Sequence, residues 1–261
     1  MHARIPYDAC PLCGATEGDL VRTASVAGHP LYRPSFPAEL RWVQCATCRH
    51  VFADGYLGPA ALAELFSVAN PRQLPGGGDV DRGRQLAARQ VERVVALRGG
   101  VSGRWLDVGF GDGALLTTAA EFGFEVTGLD TRGEAVARLR ALGFEALQGT
   151  LEALEGPEPV QVLSLCDVLE HVTFPRKTLA RARQLLAADG VLLVTTPNGE
   201  CFQWQALDRA GANPYWAELE HLHVFGRRRL QALLVEEGFV PAGYAVSERY
   251  LAGMELLARR G

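Results

Sequence analysis

From Gly103 onward, short apolar runs alternate with amphipathic stretches, the pattern of a parallel sheet covered by helices. Five strands are expected in order: Arg104–Val108, Glu125–Leu129, a weaker one at Phe144–Gln148, Val160–Cys166 and Val191–Thr195. Helices are expected near 113–122, 132–142 and 175–188 between them. After a further helix at Arg227–Glu237, the segments Val240–Val246 and Leu251–Leu257 lie close enough to pair as a hairpin. Upstream, Leu86, Val91, Val94, Val95 and Leu97 recur at roughly helical spacing, which predicts a helix laid against the sheet domain. The predicted fold class is therefore α/β: a Rossmann-like, doubly wound, mostly parallel sheet closed by an antiparallel hairpin.

Residues 1–56 break this pattern. They carry four of the six cysteines, several prolines and few periodic apolar runs, so they read as a small module held by something other than a core. The segment PAALAELF predicts a short helix, and PRQLPGGGD, with two prolines and three consecutive glycines, predicts a linker. The expected organisation is a module at 1–56, a helical linker region at 57–100 and a main domain at 101–261.

Composition narrows the function classes. A chain of 261 residues, 48% hydrophobic, can bury one substantial core with room for an appendage. The net charge is only -4, and no segment gathers Arg and Lys into a run that would track a phosphate backbone. Lys177 is the sole lysine, so the arginine excess carries no functional message. The start MHARIPYDAC lacks an apolar signal core, and no stretch approaches the roughly 20 apolar residues of a membrane span. A cytoplasmic protein without a membrane partner is expected, and the oligomeric state stays open.

In that compartment six cysteines argue for metal binding over disulfides. Cys10-Pro-Leu-Cys13 and Cys45-Ala-Thr-Cys48 are two Cys-x-x-Cys knuckles separated by 31 residues, and each offers two thiolates to a tetrahedral ion. Zinc is the expected metal. Four thiolates close the shell, so the expected role is structural. Gly14 after the first knuckle tolerates a positive φ, which lets backbone amides turn toward sulfur. Cys166 and Cys201 read as packing residues.

The candidate chemistry lies at Asp107-Val-Gly-Phe-Gly-Asp-Gly113, where a strand ends in three glycines and a helix begins. In this geometry a backbone lies against a nucleoside-like ligand. The turn also fits a dinucleotide fingerprint, which keeps a nicotinamide-dependent oxidoreductase as an alternative. Asp107 favours the other reading: a carboxylate there repels a pyrophosphate but accepts hydrogen bonds from a cationic amino-acid ligand. Asp130, ending VTGLD, can accept both ribose hydroxyls.

These segments, in this order, resemble the class I S-adenosylmethionine-dependent methyltransferases, from about Gly103 to Glu237. DVGFGDG resembles the family's glycine motif, GLD130 its ribose-binding acid, and LCDVLEHV the motif after its fourth strand. TTPN198 and EHLHVF resemble a bacterial subset that modifies small metabolites. The resemblance implies S-adenosylmethionine as cofactor. Gly109, Gly111 and Gly113 would line its methionine part, Asp130 with Thr131 its ribose, and Gly149-Thr150-Leu151 with Cys166-Asp167 its adenine side and the cleft. The chain departs from the pattern at Thr150, where many members carry an acid. A similar cysteine module precedes the methyltransferase domain in some sugar C-methyltransferases and in an rRNA guanine methyltransferase, which leaves an RNA-directed enzyme or binding module as a further alternative. Residues 1–56 hold five Arg (4, 22, 33, 41, 49) against five acids (8, 17, 19, 39, 54), which gives no electrostatic footing for RNA. The expected partner is a small-molecule acceptor.

Methyl transfer demands in-line positioning and at most one base. His171 follows the fourth strand at the carboxyl edge of the sheet, where an imidazole could take an acceptor's proton near neutral pH. His221 and His223 alternate about Leu222 in a long connection of the kind that shapes substrate pockets, would share one face of an extended chain, and are further candidates for catalytic or substrate contact, with Glu220 completing a conceivable metal site. Tyr215 and Trp216 read as a pocket wall or as core anchors.

Overall fold

The computed structural model describes residues 2–66, 73–76, 80–155 and 158–261. The first elements are short strands: β1 (Ile5–Pro6), β2 (Gly18–Ser25), β3 (Glu39–Cys45), β4 (Val51–Ala53) and β5 (Gly55–Tyr56). Helices α1 (Pro59–Leu65) and α2 (Val80–Arg98) lead into β6 (Arg104–Val108), α3 (Ala114–Phe122), β7 (Glu125–Asp130), α4 (Gly133–Ala141), β8 (Glu145–Gln148) and β9 (Val160–Cys166). Then come α5 (Pro175–Leu185), β10 (Leu186–Pro197), α6 (Phe202–Arg209), a 3₁₀ turn (Pro214–Ala217), β11 (His223–Val224), α7 (Arg227–Glu236), β12 (Phe239–Ser247) and β13 (Gly253–Arg260).

Seven strands form the main sheet in the order β12-β13-β10-β9-β6-β7-β8. The five from β10 to β8 are mutually parallel, and β13 runs antiparallel to both β10 and β12. Trp105, Leu106, Asp107 and Val108 of β6 are all buried, as a central strand covered on both faces requires. On one face α2 lays Ala87, Val91 and Val94 against Trp105, Leu115 and Val162, as the roughly helical spacing implied. The expected hairpin forms, but its second strand enters the sheet between β10 and the first. Leu251 is left outside it, 71% exposed in the turn.

One element is corrected. The helix expected over 175–188 ends at Leu185, because Leu186 adopts an extended backbone (φ -72°, ψ 140°) and pairs with Val160 at the foot of β9. Sheet pairing there outweighs the helical period. Of the predicted linker 71–79, residues 71–72 and 77–79 lie outside the described residues. Leu74 is no loose linker residue: it is buried among Phe110, Leu116 and Val136.

The second sheet, of order β11-β4-β3-β2, is antiparallel and crosses the boundary expected at residue 56. Its β11 comes from the main domain, with His223 opposite Phe52 and Val224 opposite Val51. The sparse apolar residues of the module also find partners across that boundary. Phe36, Leu40 and Trp42 pack with Trp204, Tyr215, Trp216 and Leu219, and the Trp42 Nε1–H donates to the Trp216 carbonyl at 2.9 Å. Cys10, Leu12 and Cys45 join the main core beside Leu163 and Leu192.

Candidate active site

A cavity of about 890 Å³ opens at the carboxyl ends of β6, β7 and β9, where ligands bind in doubly wound sheets. Asp107 lines it from the end of β6 and is 2% exposed. Its carboxylate accepts a 2.5 Å hydrogen bond from Ser164 Oγ, which in turn accepts one from Trp105 Nε1 at 2.9 Å. Burial pushes the Asp107 carboxyl up to about 7; the Ser164 bond opposes this, and neighbouring Asp112 adds to it.

The turn that follows is left-handed at Gly109 (φ 65°), Gly111 (φ 58°) and Gly113 (φ 79°). At Gly109 a Cβ would stand 2.8 Å from Val168 Cγ2, so only glycine fits. At Gly111 the nearest atom to a Cβ is 3.9 Å away, so the bare backbone there faces open cavity. Gly113 caps α3 instead: it is not on the cavity wall, and it packs near Leu139 and Pro75. Asp112, just before that cap, accepts from Ala114 N at 3.1 Å in a local side-chain turn.

Asp130 and Thr131 line the same cavity from the end of β7. Asp130 Oδ1 accepts from the Arg132 backbone N–H (2.9 Å) and Nε (3.0 Å), and Oδ2 is paired with Arg132 Nη2 at 2.7 Å. Arg132 also donates to the Gln73 carbonyl at 3.1 Å, tying this rim to residues 73–76. This arginine had no sequence signal. A carboxylate has about four acceptor sites, so one remains open while the arginine is in place. Thr150 and Leu151 stand on the wall beyond β8, and Cys166 and Asp167 on the wall at the end of β9. Asp167, at φ 56°, is held by Thr195: its N–H donates to the Thr195 carbonyl at 3.0 Å and to Thr195 Oγ1 at 3.1 Å, and its Oδ1 accepts from Thr195 Oγ1 at 2.9 Å.

The cavity wall also carries His171 and His221, whose rings meet edge to face at 4.7 Å. His171 Nδ1 lies 3.2 Å from the Glu220 carbonyl, so it carries the proton and Nε2 keeps the lone pair. Burial, and then His171, hold His221 well below the usual histidine range. Glu170 is buried beside them, its carboxyl pushed up by burial, and its Oε2 has no hydrogen-bond partner among the described residues. Tyr215 also reaches the cavity, whereas Trp216 is a core anchor.

His223 does not join this group, contrary to the shared face expected of His221 and His223. It is 1% exposed and absent from the cavity wall: Nε2 donates to the Val172 carbonyl at 2.8 Å, and Nδ1 faces His50 Nε2 at 3.0 Å. Pairing of β11 with β4 directs it toward the module. His223 is likewise absent from the described groups able to hold a metal, which pair His221 with Glu170 and His171, and Glu220 with His29 and Glu218.

The four module cysteines do converge. Their sulfurs lie within 4.8 Å of one another, with Cys10–Cys48 at 3.6 Å and Cys13–Cys45 at 3.5 Å. A tetrahedral zinc with bonds of about 2.3 Å needs sulfurs roughly 3.8 Å apart, so the donor set fits. Gly14 (φ 75°) follows the first knuckle as expected, and Arg49 (φ 61°) makes the same bend after the second.

A glycine turn with an acid at each strand tip thus lines one cavity together with two imidazoles. Residues 80–242 match the family model described as "Methyltransferase domain". The chain belongs to this methyltransferase family. Curated relatives include the ubiquinone biosynthesis O-methyltransferase of Colwellia psychrerythraea, 31% identical over 122 residues (44% of this chain, 50% of the relative). That of Yersinia enterocolitica is 36% identical over 107 residues (38% and 44%). The chain thus matches half or less of these relatives' length. Among solved structures, the Burkholderia thailandensis 1,6-didemethyltoxoflavin-N1-methyltransferase, with its substrate and S-adenosylhomocysteine bound, aligns at TM-score 0.58 and 20% identity, over 83% of this chain and 97% of that one. The Synechocystis magnesium protoporphyrin IX methyltransferase aligns at 0.56 and 17%, over 70% and 85%. At these identities both report a shared fold.

Proposed function

We propose that the chain transfers a methyl group from S-adenosylmethionine to an O, N or C atom of a small metabolite. One observation carries this reading: Asp107, Asp130 and the open Gly111 backbone line the same cavity as His171 and His221. When bound, the cofactor supplies an electrophilic methyl on a sulfonium. Gly109, Gly111 and Asp107 would hold its amino-acid part, and Asp130 with Thr131 its ribose. Thr150, Leu151, Cys166 and Asp167 would enclose the rest.

His171 is the first candidate base, because its Nε2 is free while Nδ1 is committed to the Glu220 carbonyl. His221, held neutral by burial, would accept a hydrogen bond from the acceptor. The relatives' names point to small-molecule acceptors, which agrees with a cavity of this volume. The four cysteines would hold a structural zinc with no open coordination position. Titration calorimetry with S-adenosylhomocysteine tests the cofactor reading, and micromolar binding is expected. Tight NAD binding with no S-adenosylhomocysteine binding would replace it with a nicotinamide-dependent oxidoreductase. Radiolabelled S-adenosylmethionine with a panel of phenols, amines and sugars then identifies the acceptor class.

A further inference from the structure

We infer that the N-terminal cysteine module is a wall of the acceptor compartment, with Leu31 a lining residue and His29 a positioning residue for the segment 218–223 that carries His221. The inference rests on the methyltransferase reading for the word acceptor, but its geometry is independent of it. Besides the bond from Arg176 to the Leu12 carbonyl, hydrogen bonds between the module and the main domain land on two neighbouring stretches. Tyr7 Oη donates to the Thr173 carbonyl at 2.9 Å, just past His171. Arg4 Nη2 donates to the Leu219 carbonyl at 2.9 Å and Trp42 Nε1 to that of Trp216. His29 Nε2 lies 3.0 Å from Glu218 Oε2 and 3.4 Å from Glu220 Oε2. The Ala53 N–H donates to the Leu222 carbonyl at 2.9 Å, and His50 meets His223.

Residues 218–223 are therefore gripped from the module side along their length. Their opposite side is fixed by the Glu170 carbonyl, which accepts from Leu222 N (2.7 Å) and His223 N (3.2 Å). Glu218, Glu220 and His221 all line the cavity, and Leu31, two residues beyond His29, lines it from the module itself. The grip is transmitted from the cysteine cluster by a short path. Cys45 ends β3, Cys48 lies in the turn that follows, and His50 stands just before β4, the strand on which β11 is laid. The cofactor end, at Asp107–Gly111 and Asp130, is built by the main sheet. A metal in the cysteine cluster would thus set the geometry of the acceptor end while leaving the cofactor end intact.

The test uses the full chain in three forms: zinc-loaded, stripped with a chelator, and zinc-loaded His29→Ala. Hydrogen exchange is read by mass spectrometry and S-adenosylhomocysteine affinity by calorimetry. Chelation and His29→Ala should each raise exchange at residues 218–223 at least tenfold, with exchange at 104–113 and the S-adenosylhomocysteine Kd changed less than threefold. His29→Gln, which keeps a donor to the two glutamates, should recover much of the protection. For an acceptor returned by the panel, His29→Ala and Leu31→Trp should raise KM at least tenfold more than they lower kcat. Unchanged exchange at 218–223 in both altered forms would overturn the inference. So would an equal rise across 104–113, which would make the module a general stabiliser. If the stripped protein unfolds, the zinc-loaded His29→Ala form decides. Failure of wild-type protein to bind S-adenosylhomocysteine would instead refute the cofactor reading, and the exchange comparison would still stand.

Discussion

Replacing Asp107 by Asn tests the proposed cofactor end quantitatively. The buried carboxyl is raised from 3.8 to about 7, mainly by burial. Its folded value lies above its unfolded one, so its contribution to stability is full below the unfolded value and is lost as pH rises through about 7. The loss is on the order of 4 kcal/mol for the ligand-free protein. A bound ammonium group favours the ionised form and pulls the proton off. Binding should therefore strengthen as Asp107 ionises: about one-tenth of the protein is ionised at pH 6 and about nine-tenths at pH 8, a roughly tenfold gain in affinity, or about 1.4 kcal/mol. Calorimetry with S-adenosylhomocysteine from pH 6 to 8, in two buffers of different ionisation enthalpy, reads both Kd and protons released. Asp107→Asn should bind about 10- to 100-fold more weakly at pH 8, as expected for loss of a charge-assisted hydrogen bond of about 1.5–3 kcal/mol, and without the pH slope. Any slope common to both proteins belongs to the ligand's own amine. A wild-type affinity flat across this range, or a slope preserved in Asp107→Asn, would refute the assignment of Asp107 to the ligand's amino group.

Three further outcomes follow from the structure. Gly111→Ala, at φ 58° with open space beyond, should cost only about 1–2 kcal/mol of stability by thermal unfolding yet abolish S-adenosylhomocysteine binding. Gly109→Ala adds the 2.8 Å clash with Val168 and should lower the melting temperature further; equal melting temperatures for the two would count against this steric account. Burial lowers His223 to about 4 and holds His50 well below the ordinary histidine value. Their stabilising contribution is therefore present above about 6.5 and is lost as pH falls toward 4. Calorimetric melting should show a steep decline over that interval, and a His50→Asn/His223→Asn double variant should show a shallower one; parallel declines would exclude the pair as its origin.

The parallel sheet was legible because its strands are buried on both faces and their apolar runs are nearly continuous, so Val160–Cys166 emerges with its observed bounds. Asp107, Asp130 and the glycine turn were legible for the same reason: each stands at a fixed offset from a strand end. What escaped was non-local. Ser164 reads as one more strand residue until Asp107 is seen across the ladder from it. His223 was misplaced because alternation along a strand says which residues share a face, but not which partner strand that face meets. The module's apparent lack of a core had a similar origin: Trp204, Tyr215 and Trp216, packed in one cluster with Trp42, lie some 160 positions or more downstream of it.

The placement of β11 and β13 constrains how the molecule is made. Each sheet holds a late segment at a position that earlier strands leave open: β11 lies on β4, and β13 is wedged between β10 and β12. During synthesis the module's edge stays unpaired until His223 and Val224 emerge, and β10 keeps one open side until residues 253–260 arrive. Such distant closures make folding slow and leave strand edges open to mispairing while the ribosome is still at work.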